Sequence, residues 1–323
     1  MGVLVAAVLA APVIVPVGFA VDVLRSRHRQ PTVRLWAFAV QFLALDLFAV
    51  FSAAVLWVAF GFGRRLGGER SLAVHARVQW WWASKVLAAA RRTLGLRFAY
   101  DNPDALAPGP LLVMGRHCSY GDALLPAVLF GHEHRLQLRY VLTLGLAWLP
   151  SLDLYGHRLR NHFVNRTSGA AGELLAVGRV ARGMSHGDAA VIFPEGQFFT
   201  PERRERALAR LTADDPALAE RAAGLRHVLP PRPGGVLALL GGAPADTDVV
   251  LLGHVGFEGF STVADLWRNV PLSEPVTVRT WRFAAAEVPR GRRQRVDWLF
   301  DRWEQLDGWV DEELSRRAMG VRS

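Results

Sequence analysis

Roughly the first sixty residues are strongly apolar and almost uncharged, whereas the rest of the chain alternates apolar with charged segments. Residues 3–24 and 35–62 are each long enough to cross a hydrocarbon core, which takes roughly 20 helical residues. A basic cluster separates them, formed by Arg25, Arg27, Arg29 and Arg34. We therefore predict that residues 1–75 form membrane-anchoring helices with a basic connecting loop, and that residues 76–323 form a separate domain.

The charges near these segments bear on their topology. Two full spans would place the basic loop and the following domain on opposite sides of the membrane, although both favour the cytoplasmic side. Asp46, near the middle of the second segment, would cost about 2.5–3.5 kcal/mol at a bilayer centre. We expect one span at most, a second segment that lies in the interface or re-enters, and a catalytic domain on the cytoplasmic face. Basic residues follow the first apolar run instead of preceding it, so no cleaved signal peptide is expected.

Beyond residue 75, segments with the hydrophobic pattern of strands alternate with segments that have the pattern of helices. Strands are predicted over residues 111–115, 136–142, 161–165, 189–193, 227–229, 248–257 and 275–283, and helices over residues 78–92, 123–130, 170–182 and 292–317. This order predicts an α/β domain with a largely buried sheet flanked by helices. Trp80, Trp81 and Trp82 in the first of these helices are expected at headgroup level, with packing against the domain as the alternative.

Composition narrows the possible partners. The formal net charge of +9 and a pI near 10.9 predict attraction to an acidic partner, either nucleic acid, anionic lipid or a phosphorylated ligand. The sequence has no zinc-finger spacing, arginine-rich tail or aromatic RNA-binding motif, so no nucleic acid is expected. Cys118 is the only cysteine, which excludes an internal disulfide. The run HEH at residues 132–134 lacks a third ligand, and no metal is expected.

Two short stretches have the residue types of a catalytic site. In LLVMGRHCSYGDALLP, residues 111–126, His117 directly follows a predicted strand and Asp122 opens a helix. A carboxylate there can accept the imidazole N–H and leave the other ring nitrogen free as a base. The alternative is a helix-capping aspartate beside an unrelated histidine. In VIFPEGQFFTPERR, residues 191–204, Glu195 and Gly196 form a turn directly after another predicted strand.

Three motifs together resemble the glycerolipid acyltransferase family, typified by lysophosphatidic acid acyltransferases. The first motif, Asn-His-x4-Asp, matches at His117 and Asp122. The second, an apolar run that ends in arginine, matches HFVNR at Arg166, and the third matches FPEG at Glu195 and Gly196. The resemblance covers roughly residues 80–317 and implies a mixed sheet in the fold of that family.

The resemblance implies direct transfer of a fatty acyl group from acyl-CoA or acyl-carrier protein to the hydroxyl of a lysophospholipid, without metal or other cofactor. His117 would be the general base and Asp122 would stabilise the imidazolium. Backbone amides near Gly121 or Gly196 are the expected oxyanion donors. Glu195 and Gly196 are expected to bind the acceptor or to shape its loop. Cys118 is not expected to be a nucleophile, because adjacent side chains rarely face each other.

The sequence departs from the family at two places. Arg116 replaces the asparagine of the first motif, and Gln197-Phe198 replaces the Thr-Arg that follows Pro-Glu-Gly. Arg166, Arg203 or Arg204 would then contact the acceptor phosphate. Lysophosphatidic acid is the first expected acceptor. The alternatives are a remodelling enzyme for another lysoglycerophospholipid, a catalytically inactive lipid-binding membrane protein on the same fold, and a hydrolase.

Overall fold

The computed structural model describes residues 6, 9–25, 27–101, 106, 108–164, 170–260 and 262–320. Three helices precede the sheet: α1 (Ala11–Leu24), α2 (Pro31–Ala59) and α3 (Glu69–Leu94). Of the described helices, α2 alone is long and apolar enough to cross a membrane. α1 has only 14 residues, so the described part of the first apolar segment is shorter than a full span.

Within the described residues, seven strands form one mixed sheet in the order β1-β7-β6-β2-β5-β3-β4. They are β1 (Phe98–Asp101), β2 (Leu111–Gly115), β3 (Gln137–Thr143), β4 (His162–Val164), β5 (Asp188–Ile192), β6 (Asp248–Val255) and β7 (Val276–Phe283). Central strand β2 pairs in parallel with β5 and with β6. β7 is antiparallel to β6 and pairs in parallel with β1. The carboxyl ends of β6, β2 and β5 therefore meet at one edge of the sheet.

Helices connect these strands. After β2 comes a helical segment at residues 120–133, in which a short 3-10 turn, a single α-helical turn and a π-helical stretch follow one another. The remaining helices are α4 (Pro150–Arg158), α5 (Ala170–Ala181), α6 (Pro201–Asp214), α7 (Pro216–Ala223), α8 (Pro233–Gly242), α9 (Val263–Asn269) and α10 (Arg292–Ala318).

The sheet is buried on both faces. Successive side chains of a strand point to opposite faces, so Leu111 and Val113 of β2 pack against α3 and the 120–133 segment. Leu112 and Met114 pack on the other face against α5, α8 and α10. All four of these side chains are completely buried. This double burial explains why the central strands are continuous apolar runs in the sequence.

Helix α2 lies antiparallel to α3 and contacts the α/β domain at both of its ends. Near its start, Thr32 Oγ1 accepts a hydrogen bond of 2.7 Å from Trp267 Nε1 in α9. Near its end, the Ala53 carbonyl accepts one of 2.6 Å from Arg158 in α4. At about 1.5 Å per residue, α2 is about 43 Å long, and it lies along the domain instead of projecting from it.

The charged residues of the first two helices face protein. Asp46 is 8% exposed and its Oδ1 accepts a hydrogen bond from the backbone amide of Ser151, at the start of α4. Asp22 is fully buried and accepts two hydrogen bonds from Thr32. The prediction of an interfacial or re-entrant second segment was based on the cost of exposing Asp46 to lipid. Because Asp46 faces protein, that cost does not arise.

The structure differs from several other predictions. Residues 227–229 form no strand, and the four-residue strand β1 was not predicted. Helix α3 runs through residue 75, and the predicted division of the chain into two parts there stays a prediction. Trp80 is 8% exposed and donates to the Leu136 carbonyl, while Trp81 and Trp82 contact aromatic rings of α2. Trp80 thus packs within the protein, which agrees with the alternative, and the position of Trp81 and Trp82 relative to lipid headgroups stays a prediction.

Candidate active site

His117 and Asp122 lie together at the carboxyl end of β2. The His117 Nδ1 atom is 3.1 Å from Asp122 Oδ2, and the two side chains are 19% and 0% exposed. β2 ends at Gly115, where a Cβ atom would come within 2.6 Å of the Phe193 ring, so glycine is required for this approach. Because Nδ1 faces the carboxylate, Nε2 on the opposite side of the ring is the atom that can accept a proton.

The loop between the two residues folds around the Asp122 carboxylate. Oδ2 accepts hydrogen bonds from the amides of Cys118 (2.5 Å) and Ser119 (2.7 Å), and Oδ1 accepts one from Ser119 Oγ (2.7 Å). Burial raises the pKa of Asp122, but His254, His117 and the Ser119 amide outweigh it, and the pKa is lowered overall. The carboxylate is therefore ionised and fixed in position.

A buried network that the motifs did not reveal surrounds this pair. His254, at the carboxyl end of β6, places Nε2 3.3 Å from Asp122 Oδ1 and 3.2 Å from the Arg116 carbonyl oxygen. The Arg116 guanidinium donates to Glu258 Oε1 at 2.6 Å and to the His254 carbonyl at 2.6 Å. A histidine inside the otherwise apolar run of β6 was the sequence signal for this contact, since every other residue from Val249 to Val255 is apolar or glycine.

Glu195 joins two loops from beneath the site. It is 1% exposed, and its two carboxylate oxygens accept hydrogen bonds from the amides of His117 (2.7 Å) and Leu229 (2.9 Å). Burial raises its pKa to about 8, although both amides act in the opposite direction. Glu195 thus shapes the loops, and direct contact with the acceptor stays a prediction. Gly196 beside it has a φ of +69°, which favours glycine, and is exposed.

The arginines predicted to bind phosphate have different surroundings. Arg203 donates to the Phe198 carbonyl within its own turn, and Arg204 donates to the carbonyls of Ala223 and Leu225, away from the dyad. Arg166 lies outside the described residues. Arg232, which the motifs did not single out, comes close to Gly196: a Cβ atom there would be 3.5 Å from its Nη1.

Aromatic rings cover His117. Phe193 stacks on its imidazole with a centroid distance of 4.6 Å, and Phe198 meets it edge-on at 4.4 Å. Tyr120 in turn contacts Phe198 at 4.7 Å. Phe198, which stands at the position of the arginine in the family motif, therefore places an apolar ring beside the His117 imidazole instead of a guanidinium.

An apolar pocket of about 400 Å³ begins at the catalytic loop. Tyr120 and Gly121, between the two dyad residues, form part of its wall. Helices α2 and α3 contribute other parts through Phe38, Phe42 and Trp82. The lining is almost entirely hydrocarbon, so the pocket suits an alkyl chain and not a charged headgroup.

Cys118, Asp122 and His254 bring possible metal-ligand atoms within 4.8 Å of one another. Both Asp122 oxygens already accept hydrogen bonds from the loop. Burial and the Asp122 charge raise the pKa of the Cys118 thiol, which opposes the thiolate form that a metal or a nucleophile needs. The arrangement fits a hydrogen-bonded network better than a metal centre.

Residues 97–236 match a family model described as Acyltransferase, and this stretch includes the dyad, the Pro-Glu-Gly turn and five of the seven strands. The matched stretch, residues 97–236, belongs to the acyltransferase family. The chain is also similar to the crystal structure of the 1-acyl-sn-glycerophosphate (LPA) acyltransferase PlsC from Thermotoga maritima, with 12% identity, a TM-score of 0.48, and coverage of 86% of this chain and 98% of that one. Among curated protein sequences, none gives a significant match to this chain.

Proposed function

We propose that this protein transfers a fatty acyl group from an acyl thioester to the free hydroxyl of a lysophospholipid. The observation that supports it is the position of the His117–Asp122 dyad beside an alkyl-lined pocket whose wall includes Tyr120 and Gly121. A thioester whose acyl chain lies in that pocket would have its carbonyl carbon near the catalytic loop. The donor is acyl-CoA or acyl-carrier protein.

In this mechanism His117 Nε2 accepts the proton of the acceptor hydroxyl as its oxygen attacks the thioester carbonyl. The new C–O bond forms and the C–S bond breaks, and the leaving thiolate takes the proton from His117. Asp122 stays ionised and stabilises the transient imidazolium. The amides of Gly121 and Gly196 donate to Ser119 Oγ and to the Phe193 carbonyl, so oxyanion contacts from them require these bonds to rearrange.

Lysophosphatidic acid is the first acceptor that we propose. Arg232 beside Gly196 and Arg203 in the adjoining turn supply positive charge close to the Pro-Glu-Gly loop. Phe198 favours the second candidate, a remodelling reaction on another lysoglycerophospholipid, because the ring removes the guanidinium that the resembled family places there.

We further propose that α1 and α2 hold the enzyme on the cytoplasmic leaflet. Large apolar side chains of both helices are exposed, among them Val13, Val17, Phe51 and Val58. Such a surface is typical of contact with lipid. The Arg27 guanidinium stacks 4.0 Å above the ring of Trp267 in α9, which supports a placement of the basic loop and the domain on the same side of the membrane.

The decisive experiment measures diacyl product from labelled oleoyl-CoA and a panel of lysophospholipids. We expect His117→Ala and Asp122→Asn to reduce the rate by at least about 100-fold. His157→Ala is the matched control, because His157 and Asp153 form an exposed pair at 3.2 Å outside the pocket. Transfer that survives in His117→Ala would refute the proposed base.

Product with lysophosphatidic acid alone supports the first acceptor, and product with other headgroups supports the second.

Orientation is tested with trypsin on sealed right-side-out vesicles. We expect the catalytic domain to be protected in them and cleaved in inverted vesicles. Cleavage of intact right-side-out vesicles would overturn the cytoplasmic placement.

A further inference from the structure

We propose that His254 is a positioning residue, whose neutral imidazole donates its Nε2–H toward Asp122 and holds that carboxylate in the orientation that meets His117. The inference rests on the proposed function only in naming His117 as the base. His254 comes from β6, far along the chain from the His-x4-Asp motif, and its Nε2 contacts Asp122 of the dyad and the Arg116 carbonyl oxygen.

The surroundings of the His254 ring determine which nitrogen holds the proton. Nε2 faces two oxygens, the Arg116 carbonyl at 3.2 Å and Asp122 Oδ1 at 3.3 Å. Neither oxygen can donate a hydrogen bond, so a lone pair on Nε2 would be repelled by both. Nδ1 is buried and makes no hydrogen bond to any described residue. The tautomer protonated at Nε2 is therefore the one that fits.

Burial favours the neutral form of His254. The ring is 1% exposed, with Asp122 and Cys118 on the catalytic loop, Arg116 at the end of β2, and Glu258 after β6 as its ionisable neighbours. Burial lowers the pKa of His254, Asp122 opposes this, and Arg116 reinforces it. The net direction is down, so His254 donates one hydrogen bond without adding a charge.

This donor has a definite electrostatic effect on the dyad. A hydrogen bond to Oδ1 withdraws electron density from the carboxylate, which weakens the attraction of Asp122 for a proton on His117. Removing the donor should therefore make His117 hold its proton more tightly. This effect can be distinguished from a loss of stability. It shifts the pH midpoint at which His117 loses its proton, whereas a loss of stability changes only the amount of folded protein.

The test measures the modification of His117 by diethylpyrocarbonate, which acylates the neutral imidazole. Peptide mass spectrometry follows this modification as a function of pH and gives the pH midpoint of the His117 titration. His254→Phe keeps a ring but removes the donor, and His254→Gln places an amide N–H close to the former Nε2. We expect the midpoint to rise by about 0.5–1 pH unit in His254→Phe, the size of one neutral hydrogen bond, and to return toward wild type in His254→Gln. His254→Leu replaces the phenylalanine variant if the latter does not fold.

His75→Phe is the matched control. His75 is also 1% exposed, has a pKa lowered by burial, and lies in α3, where its Nδ1 is 2.8 Å from the Ser71 carbonyl oxygen. It should lower the melting temperature and leave the His117 midpoint unchanged. An unchanged midpoint in His254→Phe, an equal shift in His75→Phe, or an equal shift in His254→Gln would each overturn the inference.

Kinetics separate this inference from the proposed function. With an active acceptor, His254→Phe should lower kcat about three- to tenfold with little change in KM, because the pocket and the acceptor contacts are untouched. A fall confined to KM would contradict a positioning role. If no acceptor is acylated at all, the proposed function fails, whereas the midpoint shift still decides the role of His254.

Discussion

Arg116 joins three parts of the catalytic end of the sheet. Its buried guanidinium forms an ion pair with Glu258 and donates to the carbonyls of His254 and His227. The family asparagine at this position is too short for these contacts. The buried cation of Arg116 donates to several loop carbonyls and thereby links separate segments of the chain, whereas the asparagine would make one local side-chain contact.

We predict that Arg116→Asn lowers the free energy of unfolding by about 3 kcal/mol, because it leaves Glu258 and two carbonyls without their donor. The double variant Arg116→Asn/Glu258→Gln should recover part of this loss, since it removes the unpaired carboxylate. Urea unfolding in detergent, followed by tryptophan fluorescence, measures both. Arg221→Ala, which breaks exposed ion pairs with Asp301 and Glu304, should change the stability by less than about 1 kcal/mol. Equal losses in the two single variants would contradict the prediction.

At residue level, the sequence predicts contacts between residues that are close along the chain. His117 and Asp122 are five positions apart, and their loop brings them together in the structure as predicted. His254 and Glu258 are more than 130 positions further on, and only the pairing of β6 with β2 places them beside the dyad. No spacing along the chain contains that information, because register between distant strands depends on the whole sheet.

At the scale of elements, α2 is part of the catalytic pocket as well as of the proposed membrane surface. Phe38, Phe42 and Ala49 line the pocket from α2, opposite residues of α3 and the 120–133 segment. Removing this helix would open the pocket along one side. A truncated chain that begins at α3 should therefore lose more than its attachment to the membrane.

The pocket wall gives a prediction about acyl chain length. Ala49 is 2% exposed, and Ala49→Leu should narrow the pocket, so that transfer from long-chain donors falls more than transfer from short-chain ones. The ratio of rates with palmitoyl-CoA and octanoyl-CoA measures this shift. Ala39→Leu, on the exposed side of the same helix, should leave the ratio unchanged. A uniform decrease for both donors in Ala49→Leu would indicate misfolding and not a narrower pocket.

Elements with strong periodicity were predicted closely, and weak ones were not. β2 occupies the predicted residues 111–115, and α10 differs from its prediction by one residue. β1 is short, and half of its residues are exposed, so it has no continuous apolar run to identify it. The predicted strand at 227–229 is instead a loop whose amides bind Asp307 and Glu195.

At the scale of the whole molecule, buried ionisable groups make stability depend on pH. Burial lowers the pKa of His254 from 6.5, so the unfolded chain binds a proton that the folded chain does not, and stability falls as the pH drops below about 6.5. Burial raises the pKa of Glu195 from 4.5 to about 8, so the folded chain keeps a proton that the unfolded chain has lost, and stability falls as the pH rises from 4.5 through 8. The two slopes have opposite signs.

We predict that Glu195→Gln removes the loss of stability between pH 6.5 and 8, whereas His254→Gln reduces the loss below pH 6.5. Melting temperatures of the wild type and both variants across pH 4–9 test this. Glu195→Gln should also lower the stability at every pH, since an amide cannot accept from both His117 and Leu229. An alkaline slope that is unchanged in Glu195→Gln would show that another group causes it.

The order of the sheet has a consequence for how the protein is made. Within the described residues, β1 pairs only with β7. β7 lies between β1 and β6, and β6 is the strand that supplies His254. During synthesis at about 5–20 residues per second, α1 and α2 leave the ribosome many seconds before the last strand does. The nascent chain can therefore reach a membrane while the edge of its sheet is still open. His254 can reach Asp122 only after β6 has left the ribosome and paired with β2, so the surroundings of the His117–Asp122 pair are completed late in synthesis.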